Sequence, residues 1–586
     1  MTPAPLQAST LTRREMLRLL GLGTALGVAA ACAPATPAAP KPTEPAKPAA
    51  QATSAPATAA PAAKPTVAAA QQPTTAPAAA TAGQPRRGGT LTWGQWDSNE
   101  SIDPGTASGA SGTEIVGNIL DTLVVMDADE RVYPSLASRW TVADDARTYT
   151  FTLRDGVKFH DGSMLTADAV KRSWGRILDP ANKDATAALL GPIDGIDAPD
   201  PKTVVVTFKE PFPLLLLQIW RPSFAILSPT YLDTVKSGDK AEKLVGSGPF
   251  KLGGKSADGV YTLEANSDYA WGPETLKNRA APYLQSIRFR SIPDAGTRLA
   301  TLESGESLLI DEVPEPDYNR MKADRRFTFV ETPRRGLAVG FFLNMQKAPT
   351  SDKAVREAIN WALDRKAMVE RLFFGIHRVA VGPLSEGVWG RLDELERRFS
   401  FDPARARQVL EDAGWKAGSD GIRMKDGERL SVTAATYLSP WHELAAVVQS
   451  QLRDVGIEVK ADKMARGPYL DAVRAGQINL AQSAGTNFDP DELRVRYHSA
   501  NKSANFAFLE DKELDALLTK GSQQALGSAE RRQTYEAAQR RLMDVLPFVS
   551  VMTQVRVQGM AARVHDLRMG PHGLNALPMT DTWLDG

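Results

Sequence analysis

Between residues 147 and 180 the apolar positions change period. Tyr149, Phe151 and Leu153 alternate with Thr148, Thr150 and Thr152, the period-two pattern of a strand with one buried face. Asp155-Gly156 supplies the pair a tight turn requires, which predicts a return strand at Val157-Lys158-Phe159. A second turn at Asp161-Gly162 leads to Thr166 as an N-cap, with Asp168 in the first helical turn, where the helix dipole favours negative charge. Val170, Trp174 and Ile177 then follow at helical spacing and form a buried stripe. The stretch is a well-specified α/β unit that carries no chemistry of its own.

The same two periods recur along the chain. Residues 114–125 predict a helix, and 203–208 a Val-rich strand. Residues 211–220 are apolar but interrupted by prolines, and 338–344 read as a buried strand. The clearest helical pattern runs over 352–374, with Val355, Ala358, Ile359, Ala362 and Val369 on one face. Asp402 caps a helix that has Pro403 at its first position and Gly414 just past its end. A helix over 443–454 leads through Gly456 into the strand Ile457-Glu458-Val459, and a last helix begins near Ser528. Mixed helices and strands over 586 residues predict an α/β protein with more than one core.

The beginning of the chain follows other rules. A paired arginine, Arg13-Arg14, precedes an apolar run over 17–31 that is too short to span a membrane and suits an export signal. The pair resembles a twin-arginine signal. Cys32, the one cysteine, follows Ala29-Ala30-Ala31, which resembles a lipoprotein box. Lipidated there, it is an anchor to the outer face of the cell membrane rather than a nucleophile. Residues 33–85 are almost entirely Ala, Pro, Thr, Gln and Lys, too poor in apolar bulk to fold. They read as a disordered tether, extended at about 3.1 Å per residue where proline dominates.

Composition narrows the function. Lys+Arg and Asp+Glu number 69 each, so the chain lacks the overall basic field of a nucleic-acid binder. A single cysteine excludes an internal disulfide and Cys-rich metal clusters. His442-Glu443 lacks the second histidine of a zinc motif, and no Gly-x-Ser-x-Gly elbow occurs. The six histidines are scattered, and His160 reads as a fold residue. Gly253-Gly254-Lys255-Ser256 ends like a phosphate-binding loop, but Pro249 occupies the first glycine's position, so a polar hairpin is expected. Nothing points to a catalytic residue, a metal or a cofactor, and the chain reads as a binding protein rather than an enzyme.

The order of residues from Asp144-Asp145 to Val170 resembles, almost position for position, a signature of the family 5 solute-binding proteins, the extracytoplasmic receptors of peptide and nickel ABC importers. The resemblance continues at both ends. It includes Gly88-Gly89-Thr90-Leu91-Thr92-Trp93, Ser101-Ile102-Asp103-Pro104, the segments 133–140, 245–250 and 352–365, and a stretch leading to Ile457, and it spans about residues 86–586. It implies a two-lobed periplasmic-binding-protein-like fold with mixed sheets, hinge crossings and three domains. In that layout 1–32 is the export signal and 33–85 the tether. The first domain is discontinuous (86–130, 241–338 and 546–586), 131–240 is the second and 339–545 the third. The implied partners are a small-molecule or peptide ligand, the permease subunits of an ABC importer, and the membrane through the lipid anchor, for a monomer that binds no nucleic acid. Rival readings are a ligand sensor or scaffold on the same fold, and an anchored hydrolase.

In the peptide-binding members an aspartate four residues before a proline pairs with the peptide's α-ammonium. Here Pro490 places Thr486 at that position and Ser483 at the position of a neighbouring tryptophan. A hydroxyl cannot neutralise a buried ammonium, so a free peptide amine is disfavoured unless Asp489 takes over. This loop, with Thr486, Asn487, Phe488 and Asp489, is expected to face the cleft. Trp93, Trp96, Ser108 and Ser111 on the first lobe, Tyr437 and Trp441 on the third domain, and Arg494 facing an anionic group complete the candidate ligand contacts.

Overall fold

The alternation at Tyr149, Phe151 and Leu153 becomes the strand Thr148–Leu153, with those three side chains buried and the threonines half-exposed. In the computed structural model, which describes residues 84–97, 101–104, 110–127, 131–182, 186–235, 243–438, 441–483, 485, 488–570 and 578–585, it is a central strand of a four-stranded antiparallel sheet. Ala137–Val142 flanks it on one side and Thr203–Phe208 on the other, with Ile193–Asp200 beyond. Both edges are therefore taken, and Val157-Lys158-Phe159 does not return along it as the Asp155-Gly156 turn predicts. Those residues instead fold back around the second turn: Phe159 N donates to Ser163 O (2.8 Å) and Leu165 N to Val157 O (3.0 Å), with Gly162 at φ +86°. The helix Ala167–Leu178 then starts as expected, its Thr166 side chain accepting from Ala169 N, and its buried stripe includes Val170, Trp174 and Ile177.

Two larger sheets carry the rest. A seven-stranded sheet runs in the order Phe327–Pro333, Val555–Ala561, Leu309–Ile310, Thr90–Gln95, Ser286–Ser291, Tyr261–Ala265, Phe250–Lys255. Thr90–Gln95 lies parallel to both of its neighbours. Its core is built on Leu91, Trp93, Ile287 and Phe289. A six-stranded sheet runs Arg378–Val379, Phe548–Thr553, Val339–Leu343, Leu480–Ser483, Ser431–Thr436, Glu458–Lys463. Its central strand Val339–Leu343 is buried throughout. A Cβ at Gly340 would lie 2.0 Å from Val549 O, so only glycine lets the two strands approach there.

The chain passes between these sheets twice, after Pro333 and at Gln554. The second passage falls later than the Leu546 expected from sequence, because Phe548–Thr553 still pairs with Val339–Leu343. Two helices also differ from expectation. The pattern over 352–374 forms two helices, Lys353–Ala362 and Arg365–Leu372. Asp364 breaks it by capping Ala367 N (2.9 Å), while Arg365 turns inward to Asn360 O (2.9 Å) and Ser550 O (2.7 Å). The helix expected over 114–125 is Ala110–Ile119, and Val124–Met126 leaves it to pair with Val132–Pro134. The export signal, Cys32 and the tether lie outside the described residues. Among those described, no helix is long and apolar enough to cross a membrane.

His160 occupies a backbone niche. Its Nε2 lies 2.9 Å from Gly248 O, and its Nδ1 accepts from Gly246 N at 3.4 Å. Burial lowers its pKa from 6.5 to about 4. The folded state therefore holds the neutral ring, and this contribution to stability is complete above the unfolded pKa and lost as pH falls from 6.5 towards 4. Urea unfolding at pH 7 and pH 5 should show that loss, and His160→Gln should shrink the difference between the two. Trp174→Ala empties the core between the four-stranded sheet and its helix and should cost about 3–5 kcal/mol in the same assay.

Candidate functional site

The seven-stranded sheet presents the carboxyl ends of its parallel strands to one side, where open α/β sheets place their ligand crevices. There Gln95, the last residue of its strand, donates from Nε2 to Glu114 Oε2 (2.8 Å) and to Ser111 O (3.2 Å). Glu114 Oε1 accepts from Arg556 Nη1 (3.1 Å), and Arg556 Nη2 lies 3.0 Å from Asp311 Oδ1. Trp93 Nε1 donates to the same Asp311 oxygen at 2.9 Å. Gln95, Glu114, Asp311 and Arg556 are all buried. Burial raises both carboxyls; the Arg556 charge between them opposes the rise, and each sits beside a further carboxylate. The network holds together segments far apart in sequence.

The opposite wall follows the strand Leu480–Ser483 of the six-stranded sheet. Phe488 is fully buried, its ring centroid 5.6 Å from Trp220, and the Arg221 guanidinium lies 5.4 Å from the Phe488 centroid and 5.6 Å from that of Trp220. Burial lowers Arg221 to about 10, opposed by the charge of Glu492. Glu492 is itself buried and raised, although Arg496 Nε donates to it at 2.8 Å. A Cβ on Gly485 would meet Glu492 Oε1 at 2.6 Å, so glycine there leaves the carboxylate its space. Trp220 and Arg221 belong to the segment between the four- and seven-stranded sheets, so this contact joins that segment to the loop after Leu480–Ser483.

The structure places the sequence candidates unevenly. Asp489 does not stand ready for an ammonium: its two oxygens accept from Arg531 Nη1 (2.9 Å) and Nη2 (2.7 Å), both side chains buried. Arg494 is held by Asp491 at 2.8 and 2.7 Å, and Asp491 also accepts from Tyr535 OH (2.9 Å). Asp489-Pro490-Asp491 thus staples the loop to the helix Ala529–Val545. Trp93 and Trp441 are core residues, and Trp441 Nε1 has no partner. Ser111 is buried with its Oγ unpartnered beside Gln95. Trp96 is 37% exposed at the end of its strand. Tyr437 is half-buried, its ring 4.8 Å from Tyr469 and its N–H donating to Gln482 Oε1. Ser108, Thr486 and Asn487 lie outside the described residues. Gln95, Glu114, Trp220, Arg221, Asp311, Glu492 and Arg556 were not singled out from sequence; only the apolar, proline-broken stretch ending at Trp220 hinted at any of them.

One grouping invites comparison with a hydrolase. His498 Nε2 lies 3.1 Å from Thr519 Oγ1, and Asp515 is 3.6 Å from Nδ1. Nδ1, however, accepts from Ala500 N (3.1 Å), so Nε2 carries the proton. That is the reverse of a base poised to activate a hydroxyl.

A family model described as bacterial extracellular solute-binding proteins, family 5, middle, matches residues 131–506. The chain belongs to that family. It is 29% identical over 428 residues to the probable D,D-dipeptide-binding periplasmic protein of Escherichia coli, covering 71% of this chain and 78% of that one. It is 27% identical over 504 residues to heme-binding protein A of Haemophilus influenzae, covering 81% and 88%. Among solved structures, DppA from Helicobacter pylori in complex with peptide STSA superposes with TM-score 0.70 at 26% identity, covering 86% of this chain and 99% of that one. NikA from Brucella suis in complex with Fe(III)-EDTA gives 0.75 at 25%, covering 85% and 100%. These neighbours are two-lobed periplasmic binding proteins, the fold expected from sequence.

In this family 5 protein the Asp489–Arg531 pair ties the loop to the helix Ala529–Val545. Asp489→Asn leaves the buried guanidinium uncompensated and should destabilise by about 3–5 kcal/mol, read by urea unfolding. Binding of ligand by the fraction still folded should change far less.

Proposed function

We propose that this protein is exported, anchored through a lipidated Cys32, and captures a small solute between its lobes for delivery to an ABC import permease. Family membership and the N-terminal sequence support that reading, as does the hinge-like double passage between sheets. The ligand carries an anionic group, a carboxylate being the simplest, that meets Arg221. The observation that carries this is the Arg221 guanidinium packed 5.6 Å from the Trp220 ring and 5.4 Å from the Phe488 ring, its pKa lowered by burial. A free peptide amine has less to meet: Thr486 stands at the position of the family's aspartate, and Asp489 is committed to Arg531. Relatives bind ligands as different as a peptide and a metal chelate, as their complexes state.

Native mass spectrometry of the full chain purified from expressing cells, followed by identification of what denaturation releases, tests the ligand class. A co-purified carboxylate-bearing molecule is expected, with Arg221→Gln weakening its binding at least tenfold, the equivalent of about 1.4 kcal/mol. A peptide held by its free amine, with affinity unchanged in Arg221→Gln, would overturn this reading.

A further inference from the structure

Behind the cleft, where the chain makes its second passage between sheets, lies a cavity of about 260 Å³. Its lining includes Arg298, Glu312, Glu315, His377, Gln554 and Arg556. Arg298, Glu312 and Glu315 come from the segments around the seven-stranded sheet, His377 from the turn before Arg378–Val379 of the six-stranded sheet, and Gln554 from the passage itself. An occupant would therefore touch both lobes and the strand that joins them.

The lining groups differ in what they still need. Arg298 donates to four backbone carbonyls, those of Asp311, Ile292, Pro293 and Glu312. Arg556 is engaged with Glu114 and Asp311. Gln554 Oε1 accepts from Arg334 Nη1 at 3.1 Å. His377, by contrast, is 4% exposed and its Nε2 has no partner. Its Nδ1 accepts from Val555 N at 3.3 Å, so the neutral ring carries its proton on Nε2 and offers a donor to the cavity, not a metal-binding lone pair. Glu315 Oε1 lies 3.8 Å away, too far for a hydrogen bond.

Charge decides what fills the gap. Glu312 faces Arg298, Arg334 and Arg556, and the last of these also serves Glu114 and Asp311. Glu315 has no guanidinium partner; burial and the charges of Glu312 and Glu443 raise its pKa. Of the two carboxylates lining the cavity, Glu315 is the one with no guanidinium against it among the described residues, and it sits beside a donor that lacks an acceptor.

We propose that this hinge cavity is a second ligand site, taking a small primary ammonium with an adjacent neutral oxygen, the chemistry of an amino alcohol. The ammonium N–H groups reach Glu315 and Glu312, and the oxygen accepts from His377 Nε2–H. The space admits a molecule of this size together with water. The proposal is independent of which solute enters the main cleft.

Isothermal titration of the full chain with ethanolamine tests it, with tetramethylammonium at matched ionic strength as a cation lacking N–H donors. Ethanolamine is expected to bind and tetramethylammonium to be silent. Glu315→Gln and His377→Gln should each weaken ethanolamine at least tenfold, while Arg221→Gln, in the main cleft, should leave it unchanged. Glu315 is partly exposed at the start of the helix Glu315–Lys322, so its amide variant should fold, and circular dichroism checks this. If it does not fold, Glu312→Gln replaces it with the same expected loss. Absence of ethanolamine binding, equal binding of tetramethylammonium, or loss of binding in Arg221→Gln instead of Glu315→Gln would each overturn the assignment.

Discussion

One guanidinium closes the lobe built on the seven-stranded sheet. Arg556 lies just beyond the second passage, on a strand that inserts between Phe327–Pro333 and Leu309–Ile310. It meets Glu114 from the helix near the start of the described chain and Asp311 from the strand it adjoins. The lobe is discontinuous, so its last piece must find a core whose earlier pieces are already paired. A buried cation with two buried carboxylate partners defines that register, because a slipped strand would leave charges without water or partners. Apolar side chains alone would supply burial without this selectivity.

The second lobe uses the same device at the loop after Leu480–Ser483. Asp489 and Asp491 each take a cation, Arg531 and Arg494, and Tyr535 ties Asp491 to the long helix behind. With both carboxylates spent on support, the loop presents Phe488 and Glu492 in fixed places. Fixing them before ligand arrives reduces the ordering cost of binding. On the proposed function, the same commitment removes a carboxylate from the groups a ligand can use and leaves recognition to Arg221.

Fold and family were legible because their signals are local. The unit at 147–180 carries its strand alternation, caps and helical stripe within a short stretch, the N-caps Thr166 and Asp402 hold in the structure, and the last helix begins next to Ser528 as expected. Most of the misreadings come from partners distant in sequence, with local caps adding to them. Val157-Lys158-Phe159 had no free strand edge to join, because Thr203–Phe208 and Ala137–Val142 occupy both. The helical pattern over 352–374 breaks because Asp364 and Arg365 find better partners in a cap and in the strand Phe548–Thr553. The site suffers most from this. Glu114 and Arg556 are separated by 442 positions, and Arg221 acquires its meaning only beside Phe488. Sequence shows a charge; burial, which decides what the charge does, is set by tertiary contacts.

The two passages also decide how cleft and hinge communicate. Arg334 N donates to Gln554 O at 2.7 Å, so the passages are hydrogen-bonded to each other at the point where the lobes must rotate. His377 accepts from Val555 N immediately beside it. A group that contacts this crossing from both lobes experiences a different environment in an open and a closed molecule, and any such difference is a coupling free energy. Coupling of this kind is reciprocal: whatever favours one lobe arrangement at the hinge favours the ligand that selects the same arrangement at the cleft, by the same factor. The charges in the two places are arranged differently. At the passage the carboxylate Glu315 lies beside a donor without an acceptor, while at the proposed ligand site the cation Arg221 packs beside two aromatic rings. Opposite charges at the two places keep a molecule suited to one from competing for the other, and the buried pairs on Arg556 and Arg531 hold both arrangements in place.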